Sequence, residues 1–169
     1  LSIIIPTHNR AKQLSIVLDS IKNLSDETSF EVVVVDNNSN DNTKEVANSY
    51  IKFVKYVFEG STAFTKARMT GAENASGEYL LYLDDDVILN KGSLRKIIEI
   101  FSKNPKCGVI AGKVSASFVE KPKNWTLECQ KIFNVWSLFD SDSNNFLKTG
   151  AQEVDSACGP MMAIRKNIF

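Results

Sequence analysis

"FEVVVVDNNSNDNT", Phe30 to Thr43, decides the fold. Four valines stand in a row with no polar residue between them. A strand with one wet face alternates, whereas a strand covered on both faces does not. The run ends on Asp36, crosses a polar loop and reaches Asp41 and Asn42, either of which can cap a helix over roughly 43 to 51. A buried strand, a short loop and a helix make the opening of a parallel βαβ unit.

The unit recurs on either side of this stretch. "LSIII", 1–5, is another unalternating strand, which Pro6 is expected to stop. Leu14, Val17, Leu18, Ile21 and Leu24 recur at spacings of three and four, an amphipathic helix from Lys12 to Leu24. "KFVKYVF", 52–58, alternates and reads as a strand nearer an edge. Residues 64–75 form a helix ended by Gly77. "EYLLYLD", 78–84, is a further buried strand, and Ser93 to Lys103 a helix closed by Asn104 and Pro105. "CGVIAGKV", 107–114, is a fifth strand. From 115 to 153 aromatics mix with Asp, Asn and Ser without a clear period, and "VDSACGPMMAIRKNIF" reads as a strand pair or a strand entering a helix. This alternation predicts an α/β fold: a mostly parallel sheet with helices on both faces and right-handed crossovers.

With 169 residues, the chain fits one domain with a sizeable core. Its 20 basic residues balance 20 acidic ones, so no overall field draws in nucleic acid or anionic lipid, and no nucleic-acid partner is expected. Cys107, Cys129 and Cys158 are odd in number and contain no CxxC, which points to small buried hydrophobes in a reducing, cytoplasmic compartment. No run of about 18 apolar residues is present to span a membrane. An initial Leu1 and a terminus at Phe169, just past a strand-like segment, predict a piece of a longer protein, whose missing regions are the expected route to any membrane.

In an open parallel sheet, ligands sit beyond the carboxyl ends of the strands, where strand order reverses. Three such ends carry polar clusters: "PTHNR", Pro6 to Arg10; Asp36; and Asp84, Asp85 and Asp86. Three adjacent acids with nothing basic in the same run are costly. A solvated turn capping the next helix is one account of them. A divalent cation is another, and the shared rim with Asp36 favours it. Carboxylates are hard ligands suited to Mg2+ or Mn2+, with a substrate diphosphate completing the shell. If the strand runs through the acids, 84 and 86 point to one side and 85 to the other, so Asp84 and Asp86 hold the ion directly or through water.

Asp36 has two open readings, an acceptor for a ribose or base edge and a cap for the following helix. Thr7 and Asn9 supply short polar groups. Arg68 reaches a base or phosphate, or is a surface residue. His8, the sole histidine, reads as structural, and Trp125 and Trp136 line an acceptor pocket or pack in the core. "PTHNR" has no glycine, which excludes a GxGxxG dinucleotide loop and a P-loop. It also has no acid to serve as an aspartyl nucleophile.

"SIIIPTHNR", "VVVVDNNSNDNT", "KARMTGAENASGEYLLYLDDDV" and "GPMMAIRKNIF", in this order and spacing, resemble the family 2 glycosyltransferases with a GT-A (Rossmann-like) fold. The likeness runs over essentially the whole chain. It implies one GT-A-type domain, with a nucleotide-binding half over 1–114 and the start of an acceptor-side half over 115–169. It implies inverting, hexosyltransferase-type transfer from a UDP- or GDP-linked sugar to a saccharide or lipid-linked acceptor, as in cell-envelope polysaccharide synthesis, with Mn2+ or Mg2+.

By the family pattern, Pro6, Thr7, Asn9, Arg10 and Asp36 hold the nucleoside with Arg68 nearby. Asp84 to Asp86 form the DxD element, one acid toward the ribose and Asp86 toward the metal. Two departures stand out. Met69 replaces the Asn that often follows the family's arginine. The family's general base, an acid in a later "ED" block, is expected beyond Phe169, and Asp155 is a poor substitute. A donor-binding fragment without turnover and a non-catalytic module on the same scaffold are the alternatives.

Overall fold

The computed structural model describes residues 1–24, 28–118, 122–126, 128 and 160–168. Among the described residues the elements follow the predicted order. They are β1 (Ser2–Thr7), α1 (Ala11–Lys22), β2 (Glu31–Asp36), α2 (Thr43–Ser49), β3 (Val54–Phe58), α3 (Phe64–Asn74), β4 (Tyr79–Leu83), α4 (Ser93–Lys103), β5 (Val109–Ala111) and β6 (Met161–Arg165), with a 3-10 turn over Lys166–Ile168. The strands form one sheet in the order β3-β2-β1-β4-β6-β5. β1 pairs in parallel with β2 and β4, and β2 with β3. β6 runs antiparallel between β4 and β5. The alternating β3 is an edge strand, as its pattern predicts.

Burial on both faces explains the unalternating runs. Ile3, Ile5, Val32 and Val34 pack with Leu14, Val17, Leu18 and Ile21 of α1, Ala47 of α2 and Leu94, Ile97 and Phe101 of α4. Ile4, Val33 and Val35 pack on the opposite face with Ala67 and Ala72 of α3. Gly71 permits the close approach of α3. A Cβ there meets Ile4 Cγ2 at 2.3 Å. Among the described residues no helix is long and apolar enough to cross a membrane.

Four local expectations change. β1 continues through Pro6 to Thr7, paired with Val35 and Asp36. Its ladder with β4 ends at Ile4, so on that side the missing N–H of Pro6 interrupts nothing. α3 stops at Asn74, with Ala75 already extended, so Gly77 is not its cap. Gly77 is needed where the chain enters β4, because a Cβ there meets Ser2 N at 2.8 Å. Trp125 is 63% exposed and packs in no core. Cys107 is half-buried rather than buried. Trp136, Cys129, Cys158 and Asp155 lie outside the described residues.

Candidate functional site

The chain runs from β1 through β2 to β3 on one side, then crosses back to place β4 on the other side of β1. Strand order therefore reverses between β1 and β4. The loops after these two strands meet there, around a concavity of about 370 Å³. Pro6 and Thr7 come from the end of β1, His8 and Arg10 from the loop after it, and Asp84, Asp85 and Asp86 from the β4 loop. Asn37 and Phe64 close the side.

β4 ends at Leu83, and Val87 N bonds to Asp84 O at 3.1 Å, closing a turn over the three acids. Strand alternation thus does not govern them. Asp84 is held in the backbone by Pro160, whose carbonyl accepts its N–H at 3.1 Å. Its Oδ1 lies 3.3 Å from Arg68 Nη2. Burial pushes the Asp84 carboxyl above its usual range. Arg68 opposes that, and Asp86 and Asp85 reinforce it. Asp85 is buried: its Oδ2 accepts from Thr7 Oγ1 at 2.7 Å and its Oδ1 from Arg10 Nη1 at 2.8 Å. The same Nη1 lies 2.8 Å from Oδ2 of the exposed Asp86. The basic partners absent from the acidic run thus arrive from the β1 loop and α3. Phe64 and Tyr82 flank Arg68, with its guanidinium carbon 4.4 and 5.6 Å from their ring centroids.

Asp36 and Asn9 do not line this concavity. Asp36, 2% exposed, accepts from Ser39 N at 2.9 Å and from Tyr56 Oη at 2.8 Å, and it borders a second hollow beside α2 and β3. It does not cap α2, which begins at Thr43; the bond to Ser39 closes the loop after β2 instead. Burial and the neighbouring Asp36 together push the Tyr56 hydroxyl well above its usual range. Asn9, in the left-handed region at φ 53°, points its side chain toward the β2 loop, where Oδ1 accepts from Asn40 N at 2.6 Å. His8 Nδ1 lies 2.7 Å from Asn37 O. A carbonyl only accepts, so Nδ1 carries the proton and Nε2 receives Asn9 Nδ2 at 3.1 Å. Asp41 binds both Ala11 N and Thr43 N, at 3.0 and 3.1 Å, and so joins the starts of α1 and α2.

Reading the sequence missed Phe64 and, with larger consequence, Asn37. Asn37 is 5% exposed, and its Oδ1 is buried without a hydrogen-bond partner among the described residues. Its Nδ2 donates to Thr62 O at 3.3 Å. Turning the amide over would set two carbonyl oxygens against each other, so the acceptor is the end left open. A buried, unsatisfied acceptor at a cavity wall is a place for a ligand's N–H or O–H.

The model of glycosyl transferase family 2 matches residues 2–169. The chain belongs to that family. An uncharacterized glycosyltransferase of Haemophilus influenzae is 28% identical over 100% of the chain and 54% of its own length. A GalNAc(5)-diNAcBac-PP-undecaprenol beta-1,3-glucosyltransferase of Campylobacter jejuni is 35% identical over 59% of the chain and 33% of its own length. The chain thus spans about half or less of these relatives. The structure of Staphylococcus aureus TarS 1-349 in complex with UDP-GlcNAc is 26% identical, with a TM-score of 0.62 over 72% of this chain and 36% of that one. A mannosyltransferase from Pyrobaculum calidifontis shares the fold, with a TM-score of 0.65 at 19% identity over 99% of this chain and 44% of that one. The family 2 chain thus has the GT-A architecture its motifs imply.

Among the described residues no group of three or more His, Cys, Asp or Glu side chains is arranged to hold a metal. Two carboxylates suffice for a hard divalent ion that keeps waters and takes its remaining ligands from a phosphate. Asp84 and Asp86 offer that donor set at the rim of the concavity, with the Asp86 side chain 52% exposed. The residues therefore fit a metal carried in with a diphosphate.

Proposed function

We propose that this chain is the donor-binding part of an inverting glycosyltransferase. The transferred sugar comes from a nucleotide-diphosphate sugar and goes to a hydroxyl of a saccharide or lipid-linked acceptor. One observation carries the reading: a single concavity at the strand-order reversal has an open buried acceptor, Asn37 Oδ1, and an acidic rim, Asp84 to Asp86. One part of it calls for a hydrogen-bond donor and the other for a cation. A nucleobase N–H and a metal-bound diphosphate supply both in one molecule.

In this reading Asn37 accepts from the base, and Pro6 and Thr7 form the floor. Phe64 forms the wall on the α3 side, and Arg68, which does not line the concavity, backs it against Asp84 and the Phe64 ring. Asp84 and Asp86 would hold Mn2+ or Mg2+, which when bound stabilises negative charge on the departing diphosphate. Asn9 and Asp36 act on the nucleoside indirectly, by fixing the loops after β1 and β2. Deprotonation of the acceptor hydroxyl needs a base. We assign it to no residue of this chain and place it in the remaining length of the enzyme. The relative seen with UDP-GlcNAc makes a uridine nucleotide the first to test, with GDP next. The cysteine usage favours a reducing, cytoplasmic location.

UDP with Mn2+ is expected to raise the melting temperature, because a ligand of the folded state alone stabilises by about 2.7 kcal/mol at a hundredfold excess over Kd. Asp86→Ala is expected to abolish that gain. Melting curves that do not move with UDP, GDP or CDP in the presence of Mn2+ rule the reading out.

A further inference from the structure

The two bonds made by Arg10 are unequal. Its Nη1 stands 2.8 Å from both Asp85 Oδ1 and Asp86 Oδ2. The Asp85 side chain is 7% exposed, and Thr7 Oγ1 holds its other oxygen at 2.7 Å. Removing Arg10 from Asp85 strands a buried charge, which is strongly unfavourable. The Asp86 side chain is 52% exposed and that of Arg10 is 47% exposed. An ion pair this open to water is screened and weak. A cation arriving at the rim therefore competes with Arg10 at Asp86 and not at Asp85.

We infer that Arg10 is an internal counter-ion for Asp86, displaced from that carboxylate when a divalent cation binds while keeping its hold on Asp85. The inference rests on the metal-and-diphosphate reading of this site. It answers how three adjacent acids stay together in the folded chain without a metal: Arg10 and Arg68 neutralise them from outside the run. It also gives the metal and the nucleotide a reason to bind together. A lone cation must displace a positive group and then sit beside it, which repels it. Arg10 lines the concavity, and the Nη1 N–H released from Asp86 is free to donate to a phosphate oxygen. A diphosphate thus relieves the repulsion that the metal meets alone, and by linkage each raises the affinity of the other.

Arg10→Gln separates the charge from the hydrogen bond, since its amide still offers a donor to Asp85. Mn2+ alone, titrated by electron paramagnetic resonance of the free ion, is expected to bind Arg10→Gln about tenfold or more tighter than the wild type. UDP is expected to raise Mn2+ affinity by a smaller factor in the variant. Arg10→Lys keeps the competing charge and is expected to stay within about threefold of the wild type for Mn2+ alone. Equal or weaker Mn2+ binding by Arg10→Gln overturns the inference, as does Arg10→Lys binding as tightly as Arg10→Gln. If Arg10→Gln does not fold, the wild type decides. An Arg10 guanidinium nitrogen resonance that moves on Mg2+ titration supports the displacement, and one that does not move overturns it. No Mn2+ binding by either protein, with or without UDP, ends the metal reading and this inference together. Binding without a gain in Arg10→Gln ends the inference alone.

Discussion

Asn37 lies one residue beyond β2, and that single step decides which side of the sheet its amide reaches. Asp36 shares a face with Val32 and Val34, toward α1 and α2, while Asn37 follows the parity of Val33 and Val35, toward α3. The amide therefore comes to the concavity that Phe64 of α3 walls, while the carboxylate turns to Tyr56 and Ser39. Asn37→Ala removes an acceptor that has no partner among the described residues and one long bond, at 3.3 Å, to Thr62 O. Its stability cost is accordingly small, within about 1 kcal/mol. Its effect on the ligand is larger: losing a hydrogen bond of about 1–2 kcal/mol weakens UDP binding roughly 5- to 30-fold. Isothermal titration beside a urea melt measures both, and a variant that binds UDP as the wild type does removes Asn37 from the site. The sequence shows a polar pair after a buried strand, but not which member faces the concavity. That depends on where the strand stops and which helix covers it.

Gly71 sets the distance between an element and the sheet. It is buried on α3 against Ile4, a fully buried side chain stiff at χ1. Gly71→Ala drives a methyl into Ile4 and tightens against Val35, whose Cγ2 lies 3.2 Å from the added Cβ. Overpacking of this kind costs about 1–3 kcal/mol. Because α3 also carries Arg68 and Phe64, the substitution is expected to lower both the urea midpoint and UDP affinity. A midpoint unchanged from the wild type refutes the packing argument. Strands and helices were legible where burial writes a period or removes one, as in "SIII", "VVVV" and the three-four spacing of Leu14 to Ile21. Legibility failed where the cause lies elsewhere in the fold. Pro6 stays in its strand because the β4 ladder has already ended, and Gly77 answers to Ser2, which is 75 residues away in sequence. β6 fills its place between β4 and β5 by pairings no local pattern encodes.

At the scale of the molecule, the sheet gives its two rims opposite work. The carboxyl rim gathers acids and arginines around a concavity, while the amino rim is tied down by one carboxylate. Glu31 opens β2, and its Oε1 accepts from Ser2 Oγ of β1 and from Ser76 N, Ser76 Oγ and Gly77 N on the approach to β4, at 2.5, 2.6, 2.7 and 3.2 Å. Three strands of the parallel core are thereby joined through one group. Burial raises the Glu31 carboxyl, but these four donors outweigh it and hold the group down from 4.5 to about 2. A group depressed in the folded state adds stability above its unfolded value, and that stability is lost as pH falls through the folded one. The contribution of Glu31 is therefore complete above about pH 4.5 and disappears toward pH 2. Glu31→Gln loses it at every pH. Other carboxylates make both proteins less stable in acid, so the difference between them isolates this residue. At pH 7 the variant is expected to be less stable by about 1 kcal/mol, allowing for the group's partial exposure to water. The gap is expected to close between about pH 4.5 and 2 in urea melts taken across that range. A gap that stays constant with pH means that the four donors contribute through geometry alone and that charge at the amino rim does not hold the three strands together.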